Sequence, residues 1–320
     1  MKKKSVAIIG AGFAGLALAY ELSRDCAVTV YDAVGIGGGA SGSAIGLLHP
    51  YPPMKKRQPI WRAREALAAA EDLLERVGSA LFSRSGIERL FEDKELADHF
   101  FAQNLGDVER ISDLRFLVKS GIVVDSPRYL DGLWTLCEKQ GATLKIQKIS
   151  TIQQLSGYDE VVFAAGFGMV DLFTQLDLRY SKGQALRVSL KTPLPRPIMA
   201  FGYLAPAGSD YWLGATYELR TRDGAADMQK ACELLLPRLA SMGAELNEVK
   251  GVTAGMRVLR NGNYHPMVDQ LADGLWIFTA LGSRGLLYHA YLAKLLAAAI
   301  RAGNPSLLPK ELLVKEGKKG

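Results

Sequence analysis

The hydrophobic positions of the chain change their period several times, and each change predicts an element. Residues 5–9 (Ser-Val-Ala-Ile-Ile) form a short apolar run, as in a strand buried on both faces of a parallel sheet. Residues 13–24 read as a helix and residues 27–31 (Ala-Val-Thr-Val-Tyr) as a second strand, so the chain opens with a βαβ unit. Residues 35–46 (Gly-Ile-Gly-Gly-Gly-Ala-Ser-Gly-Ser-Ala-Ile-Gly) are too rich in glycine for a regular element. They predict a long irregular loop that runs on into Leu47-Leu48-His49-Pro50-Tyr51-Pro52-Pro53. Residues 59–77 read as an exposed amphipathic helix, with Trp61, Ala68 and Leu74 among its apolar positions.

Residues 80–125 mix short strand-like and helical pieces and are expected in a second lobe. A helix over 130–140 ending at Gly141, a strand over 143–149 and another over 160–165 closing on Gly166 return to the α/β pattern. Alternating segments at 185–190 and 211–217 predict antiparallel strands, with one helix near 225–242. Strand 275–279, a tight turn and a helix over 282–300 complete the pattern, and residues 303–320 read as a loose basic tail. The expected fold is therefore α/β. A Rossmann-like nucleotide-binding domain is assembled from residues 1–79, 126–170 and 256–302, and a mixed α+β domain is inserted as residues 80–125 and 171–255.

Composition narrows this little. Of the 320 residues, 48% are apolar and 22% charged, which fits a globular protein with one or two substantial cores and excludes a disordered chain. The net charge of +6 is weak support for a polyanionic partner. Cys26, Cys137 and Cys232 are odd in number and lack Cys-x-x-Cys spacing, so neither a disulfide framework nor a thiolate metal site is expected, and a reducing cytoplasm fits. Lys2 to Lys4 followed by an apolar run imitate a secretory signal, but the run is shorter than a membrane span, and its glycines have a mechanical use.

That use is the sequence Gly10-Ala-Gly12-Phe-Ala-Gly15, which follows a strand and opens a helix, where backbone amides and the helix dipole can hold a pyrophosphate. Asp32 closes the second strand, where a carboxylate can accept from a ribose hydroxyl. A nicotinamide cofactor would not need the second glycine loop. A flavin is better served by it, because Gly38, Gly39, Ala40 and Ser41 let backbone approach a bulky ring system. Ala164-Ala165-Gly166 and Gly282-Ser283-Arg284-Gly285 offer two further close approaches.

Taken together these segments resemble the FAD-dependent oxidoreductases of the D-amino-acid oxidase and glycine oxidase superfamily. Within it, the likeness is to the oxidoreductase domain of bifunctional tRNA wobble-uridine modification enzymes. It is carried by residues 39–50 (Gly-Ala-Ser-Gly-Ser-Ala-Ile-Gly-Leu-Leu-His-Pro), 255–268 (Gly-Met-Arg-Val-Leu-Arg-Asn-Gly-Asn-Tyr-His-Pro-Met-Val) and 281–287 (Leu-Gly-Ser-Arg-Gly-Leu-Leu). The resemblance implies FAD contacts from Gly10, Gly12, Phe13, Ala14, Gly15, Asp32, Gly39, Ala40, Ser41, Ile149, Ala165, Gly166, Gly282, Ser283, Gly285 and Leu286. It also implies oxidative removal of the carboxymethyl group of a 5-carboxymethylaminomethyl-uridine, leaving the aminomethyl group and releasing glyoxylate.

An N-substituted glycine calls for a positive fork facing its carboxylate. Arg257, in Gly-Met-Arg, matches the family's carboxylate-binding motif, and Arg284 is expected near the flavin. His49 stands where the tRNA-modifying relatives tend to carry tyrosine, and its role stays open between site and packing. Lys182-Gly183-Gln184 resembles the family's strand beside the flavin, and His265 either lines the same site or sits in a turn. The basic runs Lys2 to Lys4, Lys55 to Arg57 and the terminal lysines are candidates for tRNA phosphates, although such runs are most often simply solvated. The fingerprint begins at residue 5, so a separate methyltransferase acting in trans is expected. A free glycine or D-amino-acid oxidase and a non-catalytic flavin protein remain as alternatives.

Overall fold

The computed structural model describes residues 3–52 and 60–314. Lys2, the Lys55 to Arg57 run and the terminal lysines lie outside the described residues. The first sheet has six strands in the order Met267–Ala272, Leu275–Thr279, Glu160–Phe163, Ser5–Ile9, Ala27–Asp32, Thr143–Ile146. All neighbours pair in parallel except Met267–Ala272, which runs antiparallel along one edge. Ile8 lies between Val30 and Val162.

Strand alternation divides the core in two. Val6 and Ile8 point into a cluster with the helices Phe13–Leu22, Ser126–Lys139 and Gly285–Ala302, while Ala7 and Ile9 point to the opposite face, against Phe163, Phe173 and Ile277. The first helix is apolar almost all round because other helices cover it, and amphipathic Ala63–Val77 forms an outer layer over Gly285–Ala302.

The second sheet follows the path Glu218–Leu219, Leu178–Leu190, Asp210–Gly214, Tyr203–Ala207, Ile198–Met199, Ile87–Leu90, Arg115–Val118, Val108–Arg110, and the long strand Leu246–Arg260 pairs antiparallel along Leu178–Leu190. Helices Met228–Leu235 and Arg238–Ser241 pack on one face of it. The single helix expected at 225–242 is two because Pro237, lacking an N–H, interrupts the ladder. The segment 80–125 divides between layers. Phe82–Ser83 and Ile122–Val124 form a three-stranded sheet with Gly46–Leu48, and the strands between them join the second sheet.

Residues 303–314, expected as a loose tail, are docked. Leu308 and Leu312 are buried, and the Arg260 guanidinium donates to the carbonyls of Glu311 (2.9 Å) and Leu313. Apolar side chains and one buried cation hold what charge composition alone suggested would be free.

Candidate active site

The first glycine loop is built by contact. Gly10 has φ +115°, and a side chain there would stand 2.5 Å from the carbonyl oxygen of Ala164. One at Gly15 would stand 1.8 Å from the carbonyl oxygen of Gly10, so the first helix sits directly on the loop that precedes it. Ala14 is buried in the first turn of this helix, which carries no acidic side chain to oppose an anion.

The second glycine loop is tied to the first. The Phe13 N–H donates to Ser41 Oγ (3.1 Å), and the Gly37 N–H donates to the Ala11 carbonyl (2.9 Å). Asp32 joins both loops: Oδ2 accepts from the Ala11 N–H (2.8 Å), and Oδ1 accepts from those of Val34 (2.8 Å) and Gly35 (2.9 Å). The carboxylate expected to meet a ribose is thus also the clasp that holds the loops together. Ala40 opens a short 3-10 turn, Ala40–Gly42, whose backbone lies against Gly255 of the second sheet (2.9 Å to a side chain placed there), whereas a side chain at Gly39 would meet nothing within 4 Å.

The remaining predicted cofactor residues fall in two places. Ala165 and Gly166 follow the central strand Glu160–Phe163, over the Gly10 turn, and Gly285 and Leu286 start the last helix, against Phe13 and Gly46. Gly282 donates its N–H to the Val258 carbonyl (2.8 Å), and Ser283 is exposed in the same turn. Ile149 differs from these. Its side chain is buried with Tyr31, Leu155 and Phe163 beneath the sheet, so only its backbone could face a ligand.

Arg257 sits opposite Ser181 in the paired long strands, with its guanidinium lying over Gly183. Arg257 Nη1 donates to the Thr216 carbonyl (3.2 Å). Burial holds its pKa below the ordinary arginine value, against the opposing pull of Tyr203 and Tyr217. Tyr203 is itself pushed up to about 12 by burial, so it stays a neutral hydroxyl. Lys182, on the opposite face of the strand, is buried and pairs across to Met256.

Arg284 precedes the last helix, and burial lowers its pKa while Tyr288 and Tyr264 counteract. His49 stacks on Tyr51 at 6.4 Å and accepts the Tyr51 N–H at Nδ1 (3.2 Å), which leaves the neutral ring its proton at Nε2. Burial first, then the charges of Arg89 and Arg284, push its pKa down to about 3. His265 lies 6.0 Å from the Trp61 ring, and its pKa is lowered chiefly by burial.

The structure therefore gathers the two glycine loops, the 282–285 turn and Arg257 around one place, with His49 within the field of Arg284. Sequence reasoning missed Gly183 as a seat for Arg257, Tyr203, the Thr216 carbonyl and Arg89. Arg89 is 1% exposed, donates to the Pro52 carbonyl (2.9 Å) and lies 4.5 Å over Phe100. An open cleft of about 440 Å³ between Ala63–Val77 and residues 103–107 is lined by none of the candidate catalytic or cofactor residues.

These residues fit an FAD. A glycine cradle that side chains would fill lies at a helix N-terminus, a carboxylate ends the second strand, and a second small-residue loop leads toward two half-buried arginines. The chain matches the family described as FAD dependent oxidoreductase (DAO) over residues 5–299. It is 28% identical over 318 residues to a Maricaulis maris (strain MCS10) protein named tRNA 5-methylaminomethyl-2-thiouridine biosynthesis bifunctional protein MnmC, covering 94% of this chain and 53% of that one. A Caulobacter sp. (strain K31) protein of the same name is 30% identical over 198 residues, covering 59% of this chain and 31% of that one. The chain thus spans about half the length, or less, of these relatives.

Among solved structures, glycine oxidase from Geobacillus kaustophilus superposes with a TM-score of 0.78 at 21% identity, covering 95% of this chain and 96% of that one. Iminodiacetate oxidase from Chelativorans sp. BNC1 gives 0.78 at 21% identity, covering 97% and 98%. Both show the shared fold. The chain belongs to the family of FAD-dependent oxidoreductases, with FAD as its cofactor.

Proposed function

We propose that the enzyme oxidises the N-carboxymethyl group of 5-carboxymethylaminomethyl-uridine at a tRNA wobble position, giving aminomethyl-uridine and glyoxylate. The observation that carries this reading is the half-buried guanidinium of Arg257 over Gly183, a planar fork with Tyr203 beside it, suited to a glycine-type carboxylate. The names of the two MnmC relatives support the tRNA substrate.

Arg257 holds the carboxylate and so fixes the neighbouring methylene, and Arg284 adds a second positive charge at the rim. Bound FAD supplies the two-electron acceptor for the C–H bond beside the nitrogen. The substrate loses a hydride and a proton to become an imine, R–N=CH–COO⁻. Water adds to that carbon, and the C–N bond breaks to give R–NH₂ and OHC–COO⁻. His49, neutral at physiological pH, offers an Nε2–H donor rather than a charge.

The product amine is a substrate for N-methylation, and a methyltransferase acting in trans is the partner this reading expects. No helix among the described residues is long and apolar enough to cross a membrane; the tRNA substrate is what makes the cytoplasm the location this reading expects.

Mass analysis of wobble nucleosides from tRNA incubated with the holoenzyme tests the reaction. Loss of carboxymethylaminomethyl-uridine matched by aminomethyl-uridine is expected, with an affinity for tRNA that falls steeply as salt rises. Hydrogen peroxide formed from glycine, N-methylglycine or D-alanine at rates comparable to turnover on tRNA would instead identify a free amino-acid oxidase.

A further inference from the structure

We propose that the mouth of this site grips an extruded pyrimidine base of single-stranded RNA by stacking it on Tyr217, with Tyr264 under Arg179 as the facing wall. The inference rests on the tRNA reading above and assigns to particular side chains the recognition of the base itself, as distinct from its carboxymethyl group.

Tyr217 directly follows Thr216, whose carbonyl receives Arg257 Nη1 (3.2 Å), so its backbone is fixed beside the proposed carboxylate site. Its side chain is nonetheless 54% exposed, and among the described residues it makes no ring contact and no hydrogen bond. On the other side, the strand Leu178–Leu190 carries Arg179 two residues before Ser181. Ser181 pairs with Arg257 and Arg179 with Leu259, so Arg179 lies on the face of Arg257, one step along. Its guanidinium covers the Tyr264 ring at 5.2 Å, its buried Nε has no hydrogen-bond partner among the described residues, and Tyr264 is 46% exposed and within the field of Arg284.

A free amino acid would be held by Arg257 and its neighbours and would need neither wall. Two solvent-facing tyrosines flanking two arginines suit a flat, uncharged ring joined to phosphates. The ring stacks, Arg257 keeps the carboxylate, and Arg179 meets the backbone beyond the ring.

The test uses FAD-loaded enzyme and an anticodon stem-loop RNA carrying the modified wobble uridine, comparing wild type with Tyr217→Leu and Tyr217→Phe. Tyr217→Leu keeps bulk but removes the π face and is expected to raise KM about ten-fold, with kcat at saturating RNA little changed. Tyr217→Phe is expected to keep the wild-type KM. The ratio of the Leu variant to wild type should be the same at about 50 and 200 mM salt, although both KM values rise with salt.

FAD absorbance and melting temperature check integrity. Should the Leu variant lose FAD, Tyr264→Leu and Tyr264→Phe carry the same test on the facing wall, with the same expected contrast. An unchanged KM in the Leu variant, or an equal rise in the Phe variant, overturns the stacking role while leaving the tRNA reading intact. A wild-type enzyme that neither binds nor turns over this RNA overturns the tRNA reading, and the stacking role with it.

Discussion

The Arg257 guanidinium occupies the space where a side chain on Gly183 would be: a methyl group there would stand 2.1 Å from Nη2 and 2.3 Å from Cζ. The two residues lie on neighbouring long strands, and the absence of one side chain makes room for the functional end of the other. The seat of this guanidinium is thus written in two separate stretches of sequence, and neither alone shows that they meet.

Gly183→Ala is expected to displace the guanidinium while leaving the sheet folded. On carboxylate-bearing amines KM should rise about 10- to 100-fold, the equivalent of losing a charge-assisted hydrogen bond of roughly 1.5–3 kcal/mol. Steady-state kinetics, with FAD content as a control, checks it; wild-type kinetics would show that Arg257 is not the carboxylate partner.

Asp32→Asn replaces one of the two oxygens that together accept three backbone N–H groups. The amide keeps the shape but turns one acceptor into a donor facing a donor. The expected result is FAD affinity weaker by about ten-fold or more, since a mismatched buried polar group costs roughly 1–3 kcal/mol. Fluorescence titration of the apoprotein with FAD measures this.

The buried histidines set an acid limit. His289 accepts the Tyr129 hydroxyl at Nε2 (2.6 Å) and donates from Nδ1 to the Leu286 carbonyl (2.8 Å); desolvation pushes its pKa down to about 4, and that of His49 falls to about 3. A histidine whose folded pKa is depressed binds a proton more readily when unfolded, so stability rises with pH between the folded value and about 6.5. From pH 7 the protein should lose stability as pH falls through about 6.5 toward 4, with a slope approaching about 1.4 kcal/mol per pH unit for each such histidine. Urea unfolding at several pH values checks this, and His289→Gln should remove one proton's share of the slope.

Arg260→Met should release the segment after Gly303. The guanidinium is buried and donates to two backbone carbonyls, so its loss leaves both acceptors unsatisfied, at about 1–3 kcal/mol. Faster proteolytic cleavage within residues 303–314 and a lower melting temperature are expected; unchanged cleavage would mean that Leu308 and Leu312 alone hold the segment.

What the sequence discloses depends on how local the physics is. Gly10, Gly12, Gly15 and Asp32 stand at a spacing that one strand-turn-helix unit requires, and the parallel strands read directly from short apolar runs. Gly255-Met-Arg257 and the 282–285 turn were legible through resemblance. Gly183 was legible only as part of a strand beside the flavin; its place under Arg257, and Tyr203, were not, because their meaning comes from partners far along the chain and across a sheet whose register no local pattern specifies. The docked tail was hidden for a related reason. Its four leucines, Leu307, Leu308, Leu312 and Leu313, show no helical or strand period and stand next to the lysine-rich end of the chain, and only the pocket that receives Leu308 and Leu312 shows that they decide.

The hydrogen bond from Gly282 to Val258 joins the turn that carries Arg284 to the strand that carries Arg257. The two cations consequently share one frame, like the jaws of a caliper set to a single gauge. A molecule touching both would be measured against an interval that this one backbone link helps to set.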